Sequence, residues 1–61
     1  MKEYETIKGT AERLGVSERT IRKLLKEYRE SPGARLISDG RIIRIHFETF
    51  ARWWEQRGAA A

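Results

Sequence analysis

The chain has 61 residues, 36% of them charged, with no cysteine and a formal net charge of +4. That length holds one domain around a single small core. The absence of cysteine excludes disulfides and thiolate metal sites, and no apolar run nears the roughly 18 residues of a membrane span. The polar, acidic N-terminus carries no recognisable secretory leader, so a cytoplasmic protein is the default expectation.

Residues 1–5 form a short lead-in. Thr6 can cap a helix, because its hydroxyl can accept from the free amides of a first turn. Ile7, Ala11 and Leu14 recur at helical spacing. Gly9 weakens this helix by up to about 1 kcal/mol relative to alanine. Gly15 stands where a left-handed C-terminal cap belongs.

Ser17 opens a second helix, with Glu18 at the positive end of its dipole. Ile21, Leu24, Leu25 and Tyr28 make one apolar stripe. The opposite face carries Arg19, Lys23, Lys26 and Glu30, with Arg22 at its flank. Ser31-Pro32-Gly33 ends the helix.

Asp39-Gly40 between β-rich runs signals a hairpin with a type I′ turn. A loop of those two residues pairs Ser38 with Arg41, Ile37 with Ile42 and Leu36 with Ile43. Leu36, Ile43 and Ile45 then face the helices. Ile37 and Ile42 share the outer face with Arg35 and Arg44. Residues 47–57 read as a last helix, with Phe47, Phe50 and Trp54 on one stripe and Gly58 as terminator. Ala59-Ala60-Ala61 is set aside as an added or frayed tail. The expected core is Ile7, Leu14, Val16, Ile21, Leu24, Leu25, Tyr28, Leu36, Ile43, Ile45, Phe47, Phe50 and Trp54. The expected fold is a small α+β domain ordered over about 5–57: helix, second helix, two-stranded hairpin, helix.

Three features bear on function. Charge is concentrated: Arg19 to Arg44 holds eight basic and three acidic residues, while the rest holds five and six. A localised basic excess points to a polyanion. Two amphipathic helices joined through Leu14-Gly15-Val16-Ser17 have the signature of a helix-turn-helix, whose second helix enters the DNA major groove. Ser17, Arg19, Thr20, Arg22, Lys23 and Lys26 are the residues such a helix offers to bases and phosphates. The competing view is a helical hairpin with a merely solvated charged face. The hairpin adds Arg35, Arg41 and Arg44, suited to a minor groove or flanking backbone, or simply to keeping a sheet edge soluble. Trp54 reads as core. Trp53 reads as a cover for the hairpin or first helix, with a protein-partner anchor as the alternative.

Catalysis finds little support. His46 is the one histidine, too few ligands for a metal site. The five glycines lack phosphate-loop spacing. No cofactor, metal or small-molecule substrate is expected, and the chain is not expected to be an enzyme.

Thr10-Ala-Glu-Arg-Leu-Gly-Val-Ser-Glu-Arg-Thr-Ile-Arg-Lys-Leu-Leu25, the hairpin around Asp39-Gly40, and Phe47 to Trp54 together resemble the excisionase family. That family has a winged helix-turn-helix related to the DNA-binding domains of MerR-type regulators, and the likeness runs closest to excisionases of conjugative transposons. It spans about residues 5–57. It implies a non-enzymatic bacterial protein at the nucleoid that binds and bends attachment-site DNA, so that a tyrosine-type integrase runs excision. Neighbouring copies of the chain are implied as partners on the DNA. A small transcriptional regulator of a mobile element or prophage is the nearest alternative. A protein-interaction module using Trp53 and the Ile37/Ile42 face is the more distant one.

Overall fold

The computed structural model describes residues 3–60. The elements run β1 (Tyr4–Glu5), α1 (Ile7–Leu14), α2 (Glu18–Tyr28), β2 (Leu36–Asp39), β3 (Ile42–His46) and α3 (Phe47–Ala60). This is a small winged helix-turn-helix of the α+β class.

The two leading helices start and stop where local chemistry directs. Thr6 is extended and its hydroxyl accepts from the Gly9 amide at 2.8 Å. At the other end Gly15 adopts φ 71°. Its amide donates to Glu12 at 3.3 Å and that of Val16 to Ala11 at 3.0 Å. This is a Schellman motif, which needs the left-handed residue that glycine supplies without a Cβ clash. The chain turns there and restarts at Ser17, whose Oγ accepts from the Thr20 amide at 3.2 Å. Gly9 also has a packing reason. A Cβ at that position would run into the Glu5 side chain, whose carboxylate accepts from the Thr6 amide at 3.1 Å and lies 3.9 Å from Arg13.

The stripe of α2 points inward as expected. Ile21, Leu24, Leu25 and Tyr28 are buried with Ala11, Ile45 and Phe50. Ile7, Leu14, Val16, Leu36, Ile43 and Trp54 are only partly buried and pack around them, and Phe47 is likewise half-buried. The Tyr28 ring meets Phe50 edge-on at 5.1 Å. Its hydroxyl donates to the Arg35 carbonyl at 3.1 Å and accepts from the Arg35 amide at 2.9 Å. One core side chain therefore fixes the approach to the hairpin. The Oγ1 of Thr10 is buried without a hydrogen-bond partner, a cost of about 1–3 kcal/mol.

Four sequence expectations need correction. The sheet has three antiparallel strands in the order β1-β3-β2, not two. Residues Tyr4 and Glu5 of the supposed lead-in pair with His46 and Ile45, and the Phe47 amide donates to Glu3 at 3.1 Å. Two residues are too few to display a period of two, so this strand leaves no pattern in sequence.

The hairpin register is displaced by two residues. Leu36 faces Ile45, Ile37 faces Arg44, Ser38 faces Ile43 and Asp39 faces Ile42. The loop is therefore Gly40-Arg41. Of these two residues only Gly40 has positive φ, 61°, the pattern of a type II′ turn, which asks this of its first central residue only. A type I′ turn on Asp39-Gly40 would force Asp39 to positive φ as well. A two-residue shift preserves which face each side chain takes. Leu36 and Ile43 still face the core, and Ile37 and Ile42 remain 48% and 53% exposed on the other side.

The last helix runs through Gly58 to Ala60. Gly58 has no positive φ, so it does not cap, and the alanines beyond it are the strongest helix formers. Finally, Trp53, expected over the hairpin or α1, is placed by its aromatic contact against α2. Its ring lies 5.3 Å from Tyr28 and 5.6 Å from Phe50, so it shields the α2–α3 contact.

Candidate nucleic-acid interface

With the apolar stripe of α2 turned inward, its remaining positions divide into an outward face and two flanks. Arg19, Lys23, Lys26 and Glu30 lie outward and exposed. On the flank toward α3, the Arg57 guanidinium grips both oxygens of Glu27, at 2.6 and 3.0 Å. The hydrogen bond from Arg57 holds the Glu27 carboxyl below the usual carboxylate range, and Glu27 in turn raises Arg57. Charge on this flank is matched within the molecule.

The flank toward the hairpin is different. A cleft of about 470 Å³ opens between the first turn of α1, α2 and the hairpin. Six basic side chains line it: Lys8 from α1, Arg22, Lys26 and Arg29 from α2, and Arg41 and Arg44 from the hairpin. Ile7, Leu25 and Ile43 make an apolar floor, and no carboxylate lines the cleft. Among the described residues, none of the six cations takes part in an ion pair; the bridges present are Arg13–Glu5 and Arg57–Glu27. Six like charges held together without counter-ions repel one another, so the arrangement favours an anionic partner.

The structure thus brings four of the sequence-expected residues, Arg22, Lys26, Arg41 and Arg44, into one site. Arg44 shares a side of the ribbon with Ile37 by register, yet its side chain still reaches the cleft. Arg41 lies in the turn itself and not in the strand beside it. Arg19 and Lys23 are exposed along α2 outside the cleft lining. The hydroxyls of Ser17 and Thr20 lie 3.0 Å apart in a shared hydrogen bond at the helix cap, which gives both a structural task at the N-terminus of α2. Arg35 is exposed just before β2, outside the cleft lining.

Two cleft residues escaped the sequence reading. Arg29 follows Arg22 by seven positions and Lys26 by three, so helical spacing does place it on their flank. It also donates from Nη2 to the Ser38 Oγ at 3.0 Å, joining α2 to the wing. Lys8 left no such signal, because only the packing of α1 against the rest brings it there. His46, by contrast, is buried as part of the scaffold. Its Nδ1 lies 2.7 Å from the Thr49 hydroxyl and its ring meets Tyr4 at 5.2 Å. No helix among the described residues is long and apolar enough to cross a membrane.

No curated protein and no solved structure gives a significant match to this chain. A family model does: the homeodomain-like domain matches residues 1–36. Those residues contain α1, the Gly15 turn and α2, the elements that carry a major-groove reading helix. More than half of the chain falls within that match, and it therefore belongs to the homeodomain-like helix-turn-helix family of DNA-binding domains.

Proposed function

We propose that the chain is an architectural DNA-binding protein of the excisionase type, acting by binding and bending rather than by catalysis. The observation that carries this reading is the convergence of six unpaired cations from α1, α2 and the hairpin in one cleft beside the reading helix. A protein that holds the major groove and an adjacent backbone at once can offset the cost of bending. For 40–90° over a short site, that cost is about 1–6 kcal/mol. The likeness of Thr10–Leu25, the hairpin and Phe47–Trp54 to excisionases gives this grip its biological setting: attachment-site DNA, a tyrosine-type integrase and neighbouring copies of the chain.

In this reading Arg19, Lys23 and the outward side of Lys26 meet base edges and phosphates in the major groove, and Ser17 and Thr20 orient the start of the helix against them. Arg22, Arg41 and Arg44 hold backbone, and Arg35 reaches the flanking duplex. An excision and integration assay with the cognate integrase tests the proposal. Excision that depends on this chain supports it. Unchanged excision, together with a promoter that responds to the chain, overturns it in favour of a small regulator of a mobile element. A flat salt response, or no mobility shift with any duplex, favours instead a protein-interaction module built on the exposed Ile37 and Ile42.

A further inference from the structure

We propose that the cleft between α1, α2 and the hairpin grips one sugar–phosphate strand of the duplex, and that Lys8 and Arg29 are part of that grip. The inference deepens the DNA-binding reading and rests on it. Three observations point to a strand rather than to a free anion. First, the cations come from three separate elements and spread around a cleft of about 470 Å³, room for an extended segment and more than a single small ion fills. Second, the floor is apolar, made by Ile7, Leu25 and Ile43. A phosphate alone would satisfy the rim and leave this floor wet. A strand presents both kinds of surface, with phosphates for the rim and sugar C–H edges for the floor. Third, the first turn of α1 forms one wall; the Thr6 hydroxyl takes the Gly9 amide there, and the Ile7 and Lys8 amides are left without helical acceptors. Their partial positive charge adds to that of Lys8.

Arg29 has a second attachment, its bond to Ser38 on the wing, so its charge and its tethering role must be separated. Binding of fluorescent duplex fragments from the flanks of this chain's own gene is measured across a salt series. Lys8→Ala and Arg29→Ala should each reduce the log–log salt slope by about one unit and leave the order of preference among duplexes unchanged. Arg29→Lys, which keeps the charge, and Ser38→Ala, which releases the tether but keeps the charge, should retain the wild-type slope. Thermal melts establish that each variant is folded.

Folded Lys8→Ala and Arg29→Ala chains with the wild-type slope overturn the cleft while leaving DNA binding intact. A Ser38→Ala slope as low as that of Arg29→Ala makes Arg29 a wing tether and overturns its place in the grip. Competition by inorganic phosphate beyond that of chloride at equal ionic strength makes the cleft a free-anion site and overturns the strand. A wild-type chain without salt-dependent binding to any duplex overturns the DNA reading and the cleft with it.

Discussion

The two flanks of α2 both carry charged side chains and are used in opposite ways. Toward α3, Glu27 meets Arg57 in a two-pronged pair that joins two helices. Toward the hairpin, Arg22, Lys26 and Arg29 share a cleft with three more cations, Lys8, Arg41 and Arg44, and with no carboxylate. The first arrangement satisfies itself. The second raises the local potential and lowers it only when a polyanion enters. In the proposed reading, a helix with one flank closed by its own protein and the other left open receives the DNA backbone on the open side. The cation count sets a scale: if all six sit on phosphates, the salt slope is about −5.

Reversing the open flank gives the largest expected effect. Arg22→Glu combined with Lys26→Glu should abolish duplex binding, or reduce the salt slope by at least about two units if binding persists. Anisotropy titration reads the loss, and circular dichroism shows the fold retained. Retained binding with the wild-type salt slope would break the contrast between the flanks. On the outward face, Arg19→Ala should cost about 1–3 kcal/mol of affinity and relax preference at one base pair. Selection from a randomised duplex pool reads this. An unchanged preference would remove Arg19 from the reading face.

A third substitution tests the scaffold that holds the open flank against the wing. Tyr28→Phe removes both hydrogen bonds to the Arg35 backbone and should lower stability by about 1–3 kcal/mol. That is a large share of the roughly 3–5 kcal/mol a core of this size supplies. The melting temperature should drop, and the Arg35 amide should exchange faster.

The smallest effect belongs to the closed flank. Glu27→Gln should leave DNA binding and its salt slope unchanged and lower the melting temperature slightly, since exposed ion pairs contribute little. The pH dependence has a definite sign. Glu27 is held below its ordinary value in the folded chain by the Arg57 hydrogen bond. Its contribution is therefore complete above the ordinary carboxylate range and lost as pH falls through the lowered folded value. Wild type should lose more stability than Glu27→Gln across that window. Parallel acid melts of the two chains check this.

Much of this was legible because it is local. Thr6, Gly15 and Ser17 specify caps through their own side chains or lack of one, and the stripe from Ile21 to Tyr28 specifies an inward face by spacing alone. Arg22 and Lys26 follow as exposed cations for the same reason. The hairpin was legible as two strands and as two faces, but not in register. Gly40 can serve in either of two adjacent turns, and both turns put the same residues on the core side.

Two capped helices, a basic second helix, an apolar-faced ribbon and a closing aromatic helix follow from the order of residues alone. Each depends on neighbours within a few positions. The tertiary structure decided the third strand, because Tyr4 and Glu5 pair only when β3 offers them an edge. It also decided that Trp53 lies against Tyr28 and that Glu27 finds Arg57 thirty residues away. Above all it decided the cleft. Lys8, Arg29 and Arg41 are far apart along the chain, and packing brings them to one opening. Spacing along a helix sets the direction of a side chain, but only the packing of one element on another sets what that side chain meets.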